Sequence, residues 1–243
     1  MNCEFSFNHY EEILKLAKKE YKFSDFLTLP DLKTKRIYLR HDVDISLDRA
    51  LILAKIENKN NVVSTFLIQI STPFYNPFDE KNVKIIKEIK KLGHYVGLHY
   101  NGPVDLSDFK LEKNIELQLD MLSSFFQIDK VVSFHQPSKK LFNKKFKNFI
   151  STYEPNFYKN KNIKYISDSK GGWREGCACK FIAENSDKYY NLQILTHPIW
   201  WDKENYSVRQ HLDNKYLKET IAYFKKEFCE NISSYCKKKY EKH

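Results

Sequence analysis

The chain has 243 residues with 42% hydrophobic and 15% aromatic content but only 6 Gly and 7 Pro. That is enough apolar surface for a globular core, and it excludes collagen-like, low-complexity or disordered architecture. Lys and Arg outnumber Asp and Glu 41 to 31, a formal charge of +10, which suits an anionic partner. Yet only five of those basic residues are arginines (Arg36, Arg40, Arg49, Arg174, Arg209), and the lysines are spread along the chain up to a basic run at 237–239. Nucleic acid, which favours the bidentate guanidinium, is therefore not an expected partner. No apolar run approaches the ~20 residues of a membrane span, and the amino terminus MNCEFSFNHYEE lacks the pattern of a secretory leader, so a cytoplasmic location is expected. The five cysteines (Cys3, Cys177, Cys179, Cys229, Cys236) are odd in number and scattered, which argues against a disulfide framework and for a reducing compartment. Cys177 and Cys179 have a CxC spacing able to ligate metal. Structural zinc takes about four such ligands and no second pair stands nearby, so they are expected to be ordinary buried or loop thiols.

No repeat, linker or composition shift divides the sequence, which is read as one domain over 1–243, with a core at 36–201. In chain order, 8–21 has apolar residues at helical spacing, Arg36 to Val43 (RIYLRHDV) predicts a strand, and Ser46 to Asn58 a helix. Val62 to Ile70 reads as a strand covered on both faces, Asp79 to Leu92 as a helix ending at Gly93, and Tyr95 to Leu98 as a short strand. A helix over Asp108 to Phe126, a strand Lys130 to Phe134, a helix over Leu141 to Ile150, strands near Lys164–Ser167 and Leu192–Thr196, and a helix from about His211 to Lys237 complete the pattern. Strands alternating with helices imply right-handed crossovers and a parallel α/β sheet, open or closed into a barrel, with chemistry at the carboxyl ends of the strands.

Four of the eight histidines stand at or just after a predicted strand: His41 (RHDVD), His99 (GLHY), His135 (SFHQP) and His197 (LTHP), while His94 precedes one and Asp168 ends another. In Arg40-His41-Asp42-Val43-Asp44 the two-residue period of a strand puts Arg40, Asp42 and Asp44 on one face and His41 and Val43 on the other. Two carboxylates facing one cavity call for a cation between them or a shared proton, which suggests a metal with a neighbouring general base. The competing structural role is an Asp-rich turn with Asp44 or Ser46 capping the next helix. Each histidine alone has an equally ordinary role in packing. Together with Asp44 they supply the mixed imidazole and carboxylate set of a catalytic zinc-type ion with an open position for water. No nucleophile elbow or glycine-rich phosphate loop offers another chemistry.

From about Arg36 to Trp201 the sequence resembles the polysaccharide deacetylase family, carbohydrate esterase family 4, also called the nodulation-deacetylase homology domain. RIYLRHDVD is similar to its first motif, VVSTFLI to its second strand and LGHYVGLHY to its second motif. SFHQPS occupies the place of the Arg-x-Pro motif, YISDSKGGW resembles the fourth, and ILTHP the Leu-x-His motif. The resemblance implies a distorted (β/α) barrel of about seven parallel strands, Asp42 as general base, Asp44 and His99 as metal ligands and His197 as general acid. Two positions depart from the pattern. Pro103 stands where a second ligating histidine is usual, and His135 replaces the arginine that orients the base. Read together, they make His135 the third ligand, with His94 as the alternative, and leave Arg40 or Arg174 to steady Asp42. Asp168, His41, Trp173 and Trp200 complete the supporting or substrate-contacting set, with Trp201 as a further aromatic wall.

The implied activity is metal-dependent, most simply Zn2+-dependent, hydrolysis of an N-acetyl or related acyl group on a sugar in bacterial surface polysaccharide biosynthesis. Its substrate would be an acetylated sugar, nucleotide sugar or glycan intermediate. Hydrolysis of another amide, such as a cyclic imide or formamide, and a non-catalytic glycan-binding or assembly protein remain the alternatives.

Overall fold

The computed structural model describes residues 3–31, 33–158 and 162–236. Its first element, helix α1 (Phe7–Glu20), starts where Ser6 accepts a hydrogen bond from the His9 amide (3.2 Å) and buries Tyr10, Ile13, Leu14 and Ala17 along one face. Strands β1 (Lys22–Ser24) and β2 (Arg36–Val43) follow, then α2 (Leu47–Lys59), β3 (Thr65–Ile68), α3 (Glu80–Lys91), β4 (Tyr95–Tyr100) and α4 (Asp108–Ser123). Next come β5 (Val131–Phe134), β6 (Ile150–Ser151), β7 (Ile163–Ser167), α5 (Ala178–Asn185) and β8 (Asn191–Thr196).

Every strand pair is parallel, in the order β6-β5-β4-β3-β2-β8-β7. Strand β1 lies beside the first half of β2, with Lys22 opposite Arg36, and β3 beside its second half, with Arg40 opposite Thr65. The sheet curls into a distorted (β/α) barrel that stays open between β6 and β7 among the described residues. Its curvature shows in contacts across the interior: Gln193 of β8 donates to the Thr152 carbonyl beyond β6 at 2.8 Å. Inward residues Tyr38, Leu67, Val131 and Ile163, from alternate positions of four strands, plug the interior together with Phe26 and Phe157. Outward residues such as Ile37, Leu39, Phe66, Val96 and Val132 meet the helices in two further clusters. Gly97 of β4 leaves no room for a side chain, because a Cβ there would lie 2.2 Å from the Val131 carbonyl oxygen of β5.

Most elements match those expected from the sequence, and the differences have local causes. The helix expected over 141–150 is absent. After a short 3₁₀ turn at Lys139–Leu141 the chain stays irregular, with Asn143 left-handed (φ 60°) and donating from its amide to the Tyr153 carbonyl at 2.8 Å. This segment feeds Phe146 and Phe149 into the core, their rings 4.6 Å apart, so the apolar spacing that looked helical serves packing instead. The three-residue β1 and the eight-residue α5 were too short to register in the sequence pattern. Gly93 follows α3 with φ 92°, the left-handed helix stop expected of it.

Backbone contacts divide the chain into one unit at Met1–Lys203 and a second at Glu204–His243. Within the second unit a π-helical turn (Gln210–Tyr216) runs into helix α6 (Leu217–Asn231), and α7 (Ser233–Cys236) follows. The helix expected from about 211 is thus three pieces, and its expected end at Lys237, with the basic run 237–239, lies outside the described residues. Cys229 of α6 is disulfide-bonded, against the expectation of a reducing compartment, while Cys3, Cys177 and Cys179 are free. No helix among the described residues is long and apolar enough to cross a membrane.

On the outer side of β2 the polar core centres on Glu57 of α2, which has no exposed surface. It accepts hydrogen bonds from Tyr10 of α1, from His41 Nε2 (2.7 Å) and from Ser64 (2.6 Å), with His94 Nδ1 3.5 Å away. His41 also pairs with Thr196 of β8 (2.7 Å) and stacks on Phe66 at 4.3 Å. Burial, the largest single influence, raises the Glu57 pKa, but the His41 and His94 interactions and the Ser64 hydrogen bond together outweigh it and hold the carboxyl below its ordinary 4.5. Burial in turn lowers His94 from its ordinary 6.5. Both folded values lie below the unfolded ones, so the stability these groups contribute is present at neutral pH. It is lost as pH falls, through His94 below pH 6.5 and through Glu57 below pH 4.5. Removing one partner from such a buried charged network costs about 3–5 kcal/mol. Glu57→Gln is therefore expected to lower the thermal midpoint at pH 7 and to flatten its dependence on acid, as measured by thermal unfolding of both proteins across that range.

Candidate active site

The pleat of β2 divides the RHDVD segment. Arg40 and Asp42 point into the barrel, whereas His41 points outward to Glu57. His41, expected among the supporting residues of the site, therefore belongs to the helix-packing layer. The same holds for His94, the alternative third ligand, whose Nε2 bonds the Ala54 carbonyl at 2.9 Å. Asp44 follows just beyond the strand, and Ser46, not Asp44, caps α2 by accepting from the Arg49 amide (3.3 Å).

Asp44 is the meeting point. Its Oδ1 lies 3.0 Å from His99 Nε2, at the end of β4, and 3.3 Å from His135 Nδ1, beyond β5. Its Oδ2 lies 3.7 Å from His197 Nε2, beyond β8. The segment after His135 turns through Gln136, left-handed at φ 52°. Gln69, following β3, donates to Asp44 Oδ1 at 2.7 Å, a contact the sequence pattern did not reveal. Donor atoms of Asp44, His99 and His135 all lie within 4.8 Å of one another. Burial would raise the Asp44 pKa, but hydrogen bonds from His135 and His99 outweigh it and hold the carboxyl far below the usual range. The bond to Asp44 in turn raises His135. Two imidazoles and a carboxylate on one side of a cleft are the donor set of a catalytic zinc-type cation.

Asp42 is 2% exposed and fully partnered. Arg40 Nη2 approaches its Oδ2 at 3.3 Å, and Ser133 of β5 donates to its Oδ1 at 3.0 Å. Arg40 is itself sandwiched: it donates to the Tyr153 hydroxyl (2.8 Å) and to Thr152, with its guanidinium 4.7 Å from the Tyr153 ring centre. The arginine that steadies Asp42 is thus Arg40, from the same strand. Ser133 also lies 2.6 Å from His99 Nδ1. Since its single proton goes to Asp42, it accepts from His99 Nδ1–H, which fixes the His99 ring with Nε2 facing Asp44. A serine in a buried strand carries no signal of this role.

On the opposite wall His197 Nδ1 bonds Asp168 Oδ1 at 2.6 Å, and Asp168 also accepts from the His197 amide (3.0 Å) and from Trp201 Nε1 (3.2 Å). The imidazole is thereby fixed with Nε2 facing the cleft. The cleft, about 460 Å³, is lined by these groups together with Trp200, Arg174, Lys170 and the rings of Phe142, Tyr153, Tyr158 and Tyr165. Trp173 is not in it. Its ring stacks on Phe5 (6.2 Å) and meets Trp201 edge-on (6.3 Å) behind the site. Of the three tryptophans only Trp200 is placed to touch a ligand.

Comparison with protein families and with curated proteins finds no match. Comparison with solved structures does. The chain is similar to a family 4 carbohydrate esterase from Bacillus anthracis, at 14% identity over 88% of this chain and 85% of that one, with a TM-score of 0.38. It is similar to the chitin deacetylase of the fungal pathogen Colletotrichum lindemuthianum, at 17% identity over 73% and 79% with a TM-score of 0.44. A CE4 family pseudoenzyme from Bacillus anthracis is also similar, at 14% identity over 77% of this chain but only 61% of that one, with a TM-score of 0.38.

Burial lowers the His197 pKa and the Asp168 charge raises it, the balance standing at about 9 against an ordinary 6.5. With the folded value above the unfolded one, this pair stabilises the metal-free chain fully below pH 6.5, and the contribution is lost as pH rises through about 9. Asp168→Asn is expected to return His197 toward its ordinary value and to remove that alkaline loss. Histidine ring resonances followed by NMR titration of the metal-free protein measure the first, and thermal midpoints across the same range the second.

Proposed function

We propose that the chain is a metal-dependent hydrolase that removes an N-acetyl or related acyl group from a sugar. The observation that carries this is the Asp44, His99 and His135 donor set flanked by Asp42 on one side and the His197–Asp168 pair on the other. Asp44, His99 and His135 would hold the cation, Zn2+ by the character of the donors, and when bound it supplies Lewis acidity toward a carbonyl oxygen and toward water. Asp42, acceptor-only as a carboxylate and anchored by Arg40 and Ser133, takes the proton of the attacking water. His197 delivers a proton from Nε2 to the departing amine while Asp168 holds Nδ1–H and stabilises the imidazolium. The products are a carboxylate and a free amino sugar. Trp200 and the tyrosines of the cleft offer aromatic faces to a sugar ring, and a cleft of about 460 Å³ suits a ligand of that size.

The substrate class is an acetylated sugar, nucleotide sugar or glycan intermediate, and the setting is bacterial surface polysaccharide biosynthesis. These finer points rest on the likeness of the Arg36 to Trp201 motifs to deacetylases. The deciding experiment is release of acetate or formate by zinc-loaded protein from a panel of acetylated sugars and nucleotide sugars. Release from none of them, by protein whose Asp44 site is shown to hold metal, would overturn sugar deacylation in favour of hydrolysis of another amide or glycan binding on this fold.

His99→Ala and His135→Ala are each expected to lose the metal held by Asp44, read by elemental analysis against the unmodified chain. Full retention in His135→Ala would remove it from the ligand set. Asp42→Asn is expected to keep that metal yet lower turnover by about 10² or more, the scale of a general base. His197→Ala is expected to erase the alkaline limb of the rate profile with metal content unchanged, and to cost least for an activated ester, whose leaving group needs no proton.

A further inference from the structure

A second set of donors converges behind the barrel, away from the cleft. Cys3 Sγ, His9 Nε2, Cys177 Sγ and Cys179 Sγ all lie within 4.8 Å of one another. Cys179 Sγ is 3.4 Å from Cys177 Sγ and 3.6 Å from Cys3 Sγ, and His9 Nε2 is 3.2 Å from Cys177 Sγ. None of the three thiols is disulfide-bonded. Four ligands at Zn–S of about 2.3 Å and Zn–N of about 2.0 Å form a tetrahedron with edges of roughly 3.5–3.8 Å, a few tenths of an ångström above these spacings.

A second feature points the same way. His9 Nδ1 pairs with Glu12 Oε2 at 3.1 Å, three residues along α1. The carboxylate accepts a hydrogen bond from Nδ1–H, the tautomer whose Nε2 lone pair is aimed at the sulfurs. This is the outer partner that a metal-bound histidine characteristically has. His9, Cys177 and Cys179 are 3%, 5% and 1% exposed, and thiols are poor hydrogen-bond donors to one another, so the cluster lacks a neutral rationale of comparable strength. The CxC pair, read from the sequence as ordinary thiols for want of a second pair, finds its partners more than 160 residues earlier in the chain.

We propose that Cys3, His9, Cys177 and Cys179 form a structural Zn2+ site. Four protein ligands leave no open position for a reacting molecule, so its role is to fasten the N-terminal segment and α1 to the start of α5. The backbone supports that geometry: the Phe7 amide donates to the Asp202 carbonyl (2.6 Å) and the Asp202 amide to the Phe5 carbonyl (3.1 Å), which holds Cys3 beside the cluster.

The test uses the full chain, tagged only at its carboxyl end, purified under reducing conditions and loaded with Co2+. Expected are a thiolate-to-cobalt charge-transfer band and strong tetrahedral d–d absorption, both displaced by added Zn2+. His99→Ala and His135→Ala, which remove only nitrogen donors from the cleft, should leave the bands intact. That separates this site from the one proposed for catalysis. His9→Cys, which keeps four ligands, should retain the bands, and the double variant Cys177→Ser, Cys179→Ser should abolish them. Stripping the zinc-loaded chain with a chelator should lower the thermal midpoint by about 10 °C or more, and His135→Ala should show the same drop. A native, reduced, folded chain without the thiolate band would overturn the proposal, as would a Cys3–Cys179 disulfide found by mass spectrometry in that preparation.

Discussion

Two carboxylates on the same side of one central strand are the constraint around which the barrel interior is arranged. Asp42 near the end of β2 and Asp44 just beyond it line the same cavity, where low dielectric makes their repulsion and desolvation costly. The surrounding strands answer with donors. Arg40 comes from β2 itself, Ser133 from β5, Gln69 from beyond β3, and His99, His135 and His197 from the ends of β4, β5 and β8. A parallel sheet makes this economical, because all its carboxyl ends lie at one rim and each strand delivers one side chain there.

The two carboxylates nevertheless keep different company. Asp42 is enclosed by a guanidinium and a hydroxyl and stays a fixed acceptor, whereas Asp44 faces imidazoles in the open cleft. The base and ligand roles proposed for them would thus separate by environment, with identical side chains. Ser133 joins the two halves, since one hydroxyl both donates to Asp42 and holds the His99 ring through Nδ1. On the far wall Asp168 does for His197 what Ser133 does for His99, and it is itself tied to Trp201.

Behind the rim the support is of two kinds. Glu57 gathers Tyr10, His41 and Ser64 into a buried network that fixes α1 and α2 against β2, so the outward half of the RHDVD segment anchors the inward half. The cysteine and histidine cluster fastens the N-terminal segment to α5, and between it and the cleft lie Phe5 and Trp201, 5.1 Å apart, the latter bonded to Asp168. The zinc proposed for that cluster would add a tie where the segment 3–6 has few buried apolar side chains of its own.

The order of strands and helices was legible in the sequence because hydrophobic periodicity is a local property. RIYLRHDV gave β2 to the residue, and the histidines following predicted strands marked Asp44, His99, His135 and His197 as one rim before any contact was known. Local pattern also set the limit. The face of β2 was predictable, but that His41 would meet Glu57 and leave the site depended on α2 packing over it, which no two-residue period encodes. Residues 141–150 carried helical spacing whose phenylalanines the tertiary core claimed for an irregular segment. Ser133, Gln69 and Tyr153 acquire their roles only when three strand ends curl together. Cys3 and His9 meet Cys177 and Cys179 only because the chain returns past its own beginning, a coincidence of position that spacing along the sequence cannot express. Residue type and period determined which groups reach the rim and which pack beneath it, while the closure of the sheet decided which of them touch.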